Sequence, residues 1–559
     1  MIKPRKQRPV LNPISVWFAV FFFSRVVLLG TPANAQPQQV SDNLPTVTAQ
    51  LEMEDGLEIN YLLFGIDSEW PSSEMRYDQP GLYNSISSLQ LGALRFPGGE
   101  VSNYFDLLSG RFISRDRILG LLYPTWVGRF RRMSRDLDNS ADGTRGFAAF
   151  EAMIEKLKGE ENQLTPVWVL NLATQTNMET VRIIEQFKEK QISLRYVEMG
   201  SGLEANRFRR ALPSVRDYLL KSAPIIRRIK TEFSEAQVAL CANGLQLAGL
   251  ERPDPRRTIP FIDAREKRWN DQLLKYRRFY DAWSVRSYGC APVLYKDIDP
   301  ARWDEFILFF PDIVLSTMAR YSRRSPEPFP IWVTEYNLPF QLLEEEDRIP
   351  YPEADSYLQQ LINSPLHGLH VASYLLSGIQ HHDVYKVMMY HSLAGADGNA
   401  MLRFSGTNST VKLTPAAQLF AQIAHIAREN QFMHPIRVEG GRRLSFAVPG
   451  GDNLPTLQAA AFSSENKIFL IVLNRSGEPS KAHFDPGKKI EAAIQITYSA
   501  HVNVPEQWGT LSVSGGSSQW PWISPLMPEQ EELTVPLEQP FLLDFSGHSL
   551  NIIEMIFTN

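Results

Sequence analysis

Residues 166–199 read PVWVLNLATQTNMETVRIIEQFKEKQISLRYVEM. The stretch opens on a short β-branched and aromatic run, Pro166–Leu170. It continues through Thr176–Lys190, where Met178, Val181, Ile184 and Phe187 recur at spacings near 3.6 and so predict a helix. It closes on a second short run, Leu194–Met199. Strand, helix, strand implies parallel pairing through a right-handed crossover. The unit repeats on both sides. Similar runs occur at Tyr61–Ile66, Leu91–Phe96, Gln237–Cys241, Trp283–Tyr288, Ile331–Glu335 and Tyr385–Tyr390, with a further helical stretch at Ser214–Phe233. Eight such runs predict an α/β fold, the (β/α)8 TIM barrel. A doubly wound open sheet is the alternative. It calls for a phosphate-binding glycine pattern after its first strand, and Gly65-Ile66-Asp67-Ser68 is not one.

Past residue 400 the style changes. Thr414–Asn430 reads as a helix, with Thr414 as N-cap and Pro415 at the first helical position. Short strand-like runs follow at Leu444–Val448, Thr456–Phe462, Lys467–Leu473, Ala493–Tyr498, Thr510–Val513, Glu532–Val535, Phe541–Phe545 and Ser549–Ile556. That spacing predicts an all-β sandwich domain. Val47–Leu57 is also strand-like and is expected to join it. The expected division is a signal peptide over 1–35, a barrel over 58–400, and a sandwich built from 40–57 plus 401–559. Asn474-Arg475-Ser476 fits the N-x-S pattern, but a β-turn explains it more simply.

The N-terminus carries Lys3, Arg5, Lys6 and Arg8, then an apolar run from Val16 to Phe23, then Ala33-Asn34-Ala35. A positive region, a short apolar region and a small-x-small site make up a secretory signal. Cleavage after Ala35 would leave Gln36 first. An uncleaved membrane anchor is the alternative, and Arg25 opposes it by breaking the apolar run short of a bilayer's width. The chain is therefore expected to be exported (secreted, periplasmic or on the cell surface), with no membrane span in its mature part.

Composition narrows the rest. Of 559 residues, 43% are hydrophobic and 21% charged, with a net charge of −5, which excludes a disordered chain. Glycine and proline follow no period, so collagen-like and low-complexity classes fall away. No long basic tract follows the N-terminus, so nucleic acid is not an expected partner. The two cysteines, Cys241 and Cys290, make neither a disulfide framework nor a zinc site; a single pair or two small buried thiols remain open.

Chemistry in a barrel belongs at the carboxyl ends of the strands. Strand seven ends Ile331-Trp332-Val333-Thr334-Glu335-Tyr336-Asn337, and a carboxylate just past an apolar run is costly unless it is bonded or functional. Strand two ends Leu94-Arg95-Phe96-Pro97-Gly98-Gly99-Glu100, with Asn103 close behind, and its glycines permit close backbone approach. Strand three ends at Asn171, strand six at Tyr288 and strand eight at His391. Polar and aromatic groups thus converge on one rim, as a carbohydrate site requires. Arg95, Asn103, Asn171, Tyr288, Asn337 and His391 are the candidate substrate-binding residues.

Arg-Phe-Pro-Gly-Gly after strand two, Val-Glu-Met-Gly after strand four and Trp-Val-Thr-Glu-Tyr-Asn at strand seven give the chain a family likeness. It resembles the retaining glycoside hydrolases of the α-L-arabinofuranosidase, β-xylosidase and heparanase-like β-glucuronidase type, over most of residues 50–559. The resemblance implies a barrel combined with a β-sandwich assembled from both ends of the chain. It implies hydrolysis of O-glycosidic bonds in a polysaccharide or oligosaccharide, with no metal or organic cofactor. It makes Glu335 the nucleophile.

Two departures from the family pattern stand out. The family's strand four ends Glu-x-Gly-Asn-Glu, the last Glu being the acid/base. Here it reads Glu198-Met199-Gly200-Ser201-Gly202-Leu203-Glu204, so Ser201 replaces the Asn and Gly202 the acid/base. Retaining hydrolysis needs two carboxyl groups about 5–5.5 Å apart. Glu204 is the candidate acid/base, if the glycine-flanked segment folds back to re-aim it. Glu198 is the other candidate, though its place in the strand suits a supporting role. In strand six, Arg286 stands where the family commonly has His. The degenerate motif keeps a second reading open: a catalytically inactive carbohydrate-binding protein on the same scaffold.

Two charged clusters are weaker signals. Arg111, Arg115, Arg117, Arg129, Arg131, Arg132 and Arg135 crowd the loop after strand two, where guanidinium forks would suit an acidic glycan. Interleaved Asp116, Asp136 and Asp138 favour a solvated face instead. His381-His382-Asp383 looks metal-binding but precedes strand eight, which puts it at the opposite, stabilising end of a barrel.

Overall fold

The computed structural model describes residues 47–50, 56–69, 81–121, 147–157, 164–244, 268–288, 298–338, 361–362, 364–394, 400–405, 410–485, 489–500, 528–533 and 541–557. Eight parallel strands close into a barrel in chain order: β1 (Gly65–Asp67), β2 (Ala93–Phe96), β3 (Thr165–Leu170), β4 (Tyr196–Met199), β5 (Gln237–Cys241), β6 (Ala282–Tyr288), β7 (Ile331–Asn337) and β8 (Tyr385–His391). β8 pairs with β1, which completes the ring. The open-sheet alternative is thereby excluded.

Side chains alternate between the barrel interior and the helix layer. Ala93, Val167, Tyr196, Ala239, Ala282, Trp332, Val387 and Met389 form one apolar cluster, the floor of the barrel. Trp332 and Tyr196 meet edge to face there, and small residues on the other strands make room for them. Two residues further along, the inward positions turn polar: Asp67, Arg95, Glu198 and Ser284. The outward residues, such as Leu94, Val197, Trp283 and Val333, belong to the main hydrophobic core.

β7 breaks the alternation once. Val285 pairs with Val333, but the next residue of β6, Arg286, pairs with Glu335. On the other side three steps from Val333 to Tyr336 match two on β8, from Met388 to Tyr390. One extra residue therefore sits on β7 at Thr334, a β-bulge. It leaves Thr334 and Glu335 both facing inward: Thr334 bonds Glu198 at 3.2 Å and Glu335 bonds Arg95 at 3.0 Å. Tyr336 returns to the outside and stacks on Tyr374.

The helix spans Asn177–Glu189, with Thr176 and Glu179 forming a reciprocal capping box. Its buried stripe is Thr180, Ile183, Ile184 and Phe187, while Met178 is 70% exposed. The expected helix is right and its face is off by about one residue, because Met178 lies before the first buried turn. Pro415–Glu429 is the helix read after residue 400, and the Thr414 hydroxyl accepts the Ala417 N–H as its cap.

The second domain packs a seven-stranded and a four-stranded sheet together. The larger runs Leu57–Glu58, Phe432–Ile436, Leu457–Ser463, Lys467–Asn474, Ser549–Phe557, Ile490–Ser499, Glu529–Leu533. The smaller runs Val438–Gly440, Val47–Gln50, Ser480–Asp485, Phe541–Phe545. Lys467–Asn474 shows why its sequence is almost continuously apolar. Ile468, Leu470 and Val472 enter the core between the sheets, and Phe469, Ile471 and Leu473 pack toward the barrel.

Several expectations change. Tyr61–Leu63 forms a 3-10 turn ahead of β1. Leu444–Val448 contributes only Leu444 to a two-residue strand, and Phe432–Ile436 and Ser480–Asp485 are strands the sequence did not announce. Val47–Leu57 splits between the two sheets. Asn474 closes its strand as a buried turn residue, its amide donating to the carbonyls of Glu478 and Ser546. The signal peptide, Cys290, Thr510–Val513 and the arginines from 129 to 135 lie outside the described residues. No helix among the described residues is long and apolar enough to cross a membrane.

Candidate active site

The carboxyl end of the barrel is organised around one guanidinium. Arg95 is fully buried. Its Nε donates to Glu198 Oε2 at 2.7 Å, and its Nη1 lies 3.0 Å from both Asp67 Oδ1 and Glu335 Oε1. Nη2 donates to Ser201 Oγ at 2.9 Å, and that hydroxyl donates on to Glu335 Oε1 at 3.2 Å. The second oxygen of Glu335 accepts from the Tyr288 hydroxyl at 2.5 Å. Burial works against charge on Glu335, but Arg95, His391, Arg286 and the Tyr288 hydrogen bond outweigh it and draw its pKa down to about 2. Glu198, deeper and dry, goes the other way: burial pushes it up despite Arg95 beside it. The site thus contains one firmly ionised carboxylate at the rim and one supporting carboxyl beneath it.

The glycines predicted to admit close approach do so. A Cβ on Gly98 would lie 2.0 Å from Asp67 Oδ1, and the Gly99 N–H donates to Asp67 Oδ2 at 3.0 Å. Asp67 also holds His391, whose Nδ1 is 2.7 Å from Oδ2, while Nε2 is 3.3 Å from Glu69. Burial opposes a charged imidazole, yet Glu69, the Asp67 hydrogen bond and Glu335 raise its pKa to about 10. Asp67, Glu335 and His391 offer ligand atoms within 4.8 Å of one another. Arg95 already bridges the two carboxylates, and the imidazole is cationic, so fixed cations fill the place a metal ion would take.

The sequence candidates divide into two groups. Arg95, Tyr288 and His391 face Glu335 directly or through Asp67. The three asparagines hold backbone instead. Asn103 donates to Ser201 O at 2.6 Å and accepts from Ser201 N at 3.1 Å, which pins the segment after β4. Asn171 closes a turn onto Thr174 and bonds Phe105 O, and Asn337 ties the His391 carbonyl and the His367 ring. Sequence reasoning passed over Asp67, Glu69 and Ser201. Asp67 carried a signal, since it lies two residues past Gly65 on the inward face and ends the first strand.

The unusual strand-four motif has a physical counterpart in β6. Gly200 and Gly202 both adopt positive φ, at 83° and 61°. A Cβ at Gly202 would lie 2.3–2.6 Å from the guanidinium atoms of Arg286, so Arg286 fills the volume a side chain at 202 would need. Its Nη2 donates to Glu204 Oε1 at 2.9 Å. The two departures read from the sequence are thus one packing solution: a glycine where a carboxyl side chain was expected, and an arginine in the space it leaves. Glu204 is 8% exposed and ion-paired with Arg286.

No protein-family model matches the chain, and no curated protein sequence does. Solved structures do match. The α-L-arabinofuranosidase of Thermotoga maritima superposes at a TM-score of 0.58 with 12% identity, over 92% of this chain and 100% of that one. A family 51 α-L-arabinofuranosidase from Bifidobacterium longum gives 0.61 and 11%, over 92% and 99%. A family 44 xyloglucanase from Paenibacillus polymyxa gives 0.53 and 10%, over 92% and 100%. Identities this low establish a shared fold, the barrel-plus-sandwich scaffold of these glycoside hydrolases. Enzymes named for different substrates stand on it, so the fold does not choose among them.

Proposed function

We propose that the chain is an exported, retaining glycoside hydrolase with Glu335 as nucleophile. The observation that carries this reading is the setting of Glu335. It is an ionised carboxylate at the end of β7, 2% exposed, with one oxygen held by Arg95 and Ser201 and the other by Tyr288. That arrangement orients a nucleophile before substrate arrives. Attack on the anomeric carbon gives a covalent glycosyl-enzyme, which water then hydrolyses. Glu204, ion-paired with Arg286, accepts the proton of that water. Export rests on the charged, apolar and small-residue order of residues 1–35. A mature N-terminus at Gln36 in the exported protein tests it.

The test of catalysis is a screen of activated aryl α-L-arabinofuranosides, β-D-xylosides and β-D-glucuronides, comparing wild type with Glu335→Gln. Turnover that the substitution abolishes supports the reading. A second reading, a carbohydrate-binding protein without turnover, draws on Arg286 filling the space at Gly202. It takes over if the wild type binds a glycan yet leaves every activated glycoside intact.

A further inference from the structure

In-line displacement by Glu335 sends the leaving group to the far side of the anomeric carbon. In the eight-strand ring β4 stands three strands from β7, across the barrel end, and the segment after it is where the family pattern has its acid/base. Gly202, Glu204 and the Arg286 guanidinium meet there. A guanidinium keeps its proton in any protein and so cannot protonate a leaving oxygen. Glu204 is ion-paired with it at 2.9 Å. Among the described residues, Tyr288 donates to Glu335, and both ring nitrogens of His391 face carboxylates. Arg286 has the opposite talent. Its side chain is 22% exposed, and its bond to Glu204 uses one nitrogen of the fork, Nη2. A fixed planar cation recognises an oxyanion.

Resting on the reading of Glu335 as nucleophile, we infer that this site acts on sugars whose leaving group departs as an oxyanion, received by Arg286, rather than on glycosides whose leaving alcohol must be protonated. For a glycosyl phosphate, a Glu335 oxygen bonds to the anomeric carbon while the carbon–oxygen bond to phosphate breaks. Its electron pair leaves with the phosphate, which pairs with Arg286. Water then attacks the same carbon, the electrons of the ester bond return to Glu335, and the water proton passes to Glu204 and on to solvent. The products are free sugar and inorganic phosphate. An acidic phenolate leaves by the same route.

The experiment measures kcat/KM of the wild type on 2,4-dinitrophenyl, phenyl and methyl glycosides of the three sugars above and on their 1-phosphates. The expected result is turnover of the 1-phosphate and the dinitrophenyl glycoside, a steep fall to phenyl, and an inert methyl glycoside. Arg286→Gln should slow the 1-phosphate about ten- to a hundred-fold more than the dinitrophenyl glycoside, with Arg286→Lys between. Cleavage of the methyl glycoside within about ten-fold of the dinitrophenyl rate would overturn the inference and leave the glycosidase reading standing, because such a rate needs a general acid. An inert 1-phosphate beside an active dinitrophenyl glycoside overturns it too. If no member of the series is turned over, the glycosidase reading falls and takes the inference with it. Should Arg286→Gln fail to fold, the wild-type series decides alone.

Discussion

The two ends of the barrel each carry a buried cluster of Asp, Arg and His, and they are built on opposite plans. At the amino end, each charge meets its own counter-charge. Asp312, on the helix Trp303–Arg324, bonds Arg475 Nη1 at 2.9 Å and Ser316 at 2.8 Å, and Ser316 meets His381 Nε2 at 3.0 Å. Arg475 also lies over the Phe309 ring at 4.1 Å and donates to Pro455 O, tying the seven-stranded sheet to the barrel. Arg323 pairs with Asp383, next to the His381 that looked metal-binding in the sequence. At the carboxyl end one guanidinium, Arg95, answers three carboxylates. Matched pairs suit an end that only has to hold together. Arg95 and His391, shared among the carboxylates, hold a catalytic carboxylate ionised at the mouth, and chemistry needs that.

Disabling each cluster should therefore give different phenotypes. The largest effect expected is on rate: Glu335→Gln should lower turnover on the order of 10⁴-fold, with a smaller loss of stability because Arg95 keeps its other carboxylates. Loss of stability without that loss of rate would make the carboxyl-end cluster structural. Next comes Arg475→Ala, which strands Asp312 in a buried site and should cost about 3–5 kcal/mol in denaturant unfolding. The pair substitution Arg475→Met with Asp312→Leu should recover most of it. If the single change is silent, the amino-end cluster does not join the domains.

A pH titration of stability sharpens the contrast. His391 is raised from its ordinary 6.5 to about 10, so its contribution is complete below 6.5 and is lost as pH rises toward 10. Glu335 is lowered to about 2, so its contribution is present above the usual carboxylate range and is lost as pH falls toward 2. His391→Asn should flatten the alkaline limb of the stability curve; an unaltered limb would mean the imidazole is neutral in the fold. The smallest effect belongs to Arg323→Ala. Both partners of its ion pair are more than 40% exposed, so unfolding should shift by less than about 1 kcal/mol. A larger loss would show that the link from Arg323 to His381 matters.

The barrel was legible because its strands after β1 are short apolar runs followed by helix or loop, and because β1, Gly65–Asp67, directly follows the apolar Tyr61–Leu63 turn. The inward residues of most strands were legible too. Period two puts Arg95 above Ala93, Glu198 above Tyr196, and Arg286 and Tyr288 above Ala282 and Ser284. On β7 the same rule fails. Counting from Trp332 it selects Thr334 and turns Glu335 outward; only the motif pointed to Glu335, and the bulge supplies the physical reason. Phe432–Ile436 escaped notice because Pro435 and His434 weaken its strand signature, and Ser480–Asp485 because alternation there is shallow. Arg286 was seen as a departure, but its fit against Gly202 joins residues from different strands, which a linear reading does not connect.

The bulge at Thr334 lies in the length of a strand as well as in its letters. A scan replacing side chains at position 334 would alter one hydrogen bond to Glu198 and leave Glu335 aimed at the mouth. Deleting that one residue would close the bulge: Glu335 would follow Val333 directly, still opposite Arg286 and facing inward, with Tyr336 outside, and Glu198 would lose its hydroxyl partner. The extra residue therefore adds a second inward side chain beside Glu335 without deciding where Glu335 points, and a strand lacking it would offer the same carboxylate to its ligands over a Glu198 with one hydrogen bond fewer.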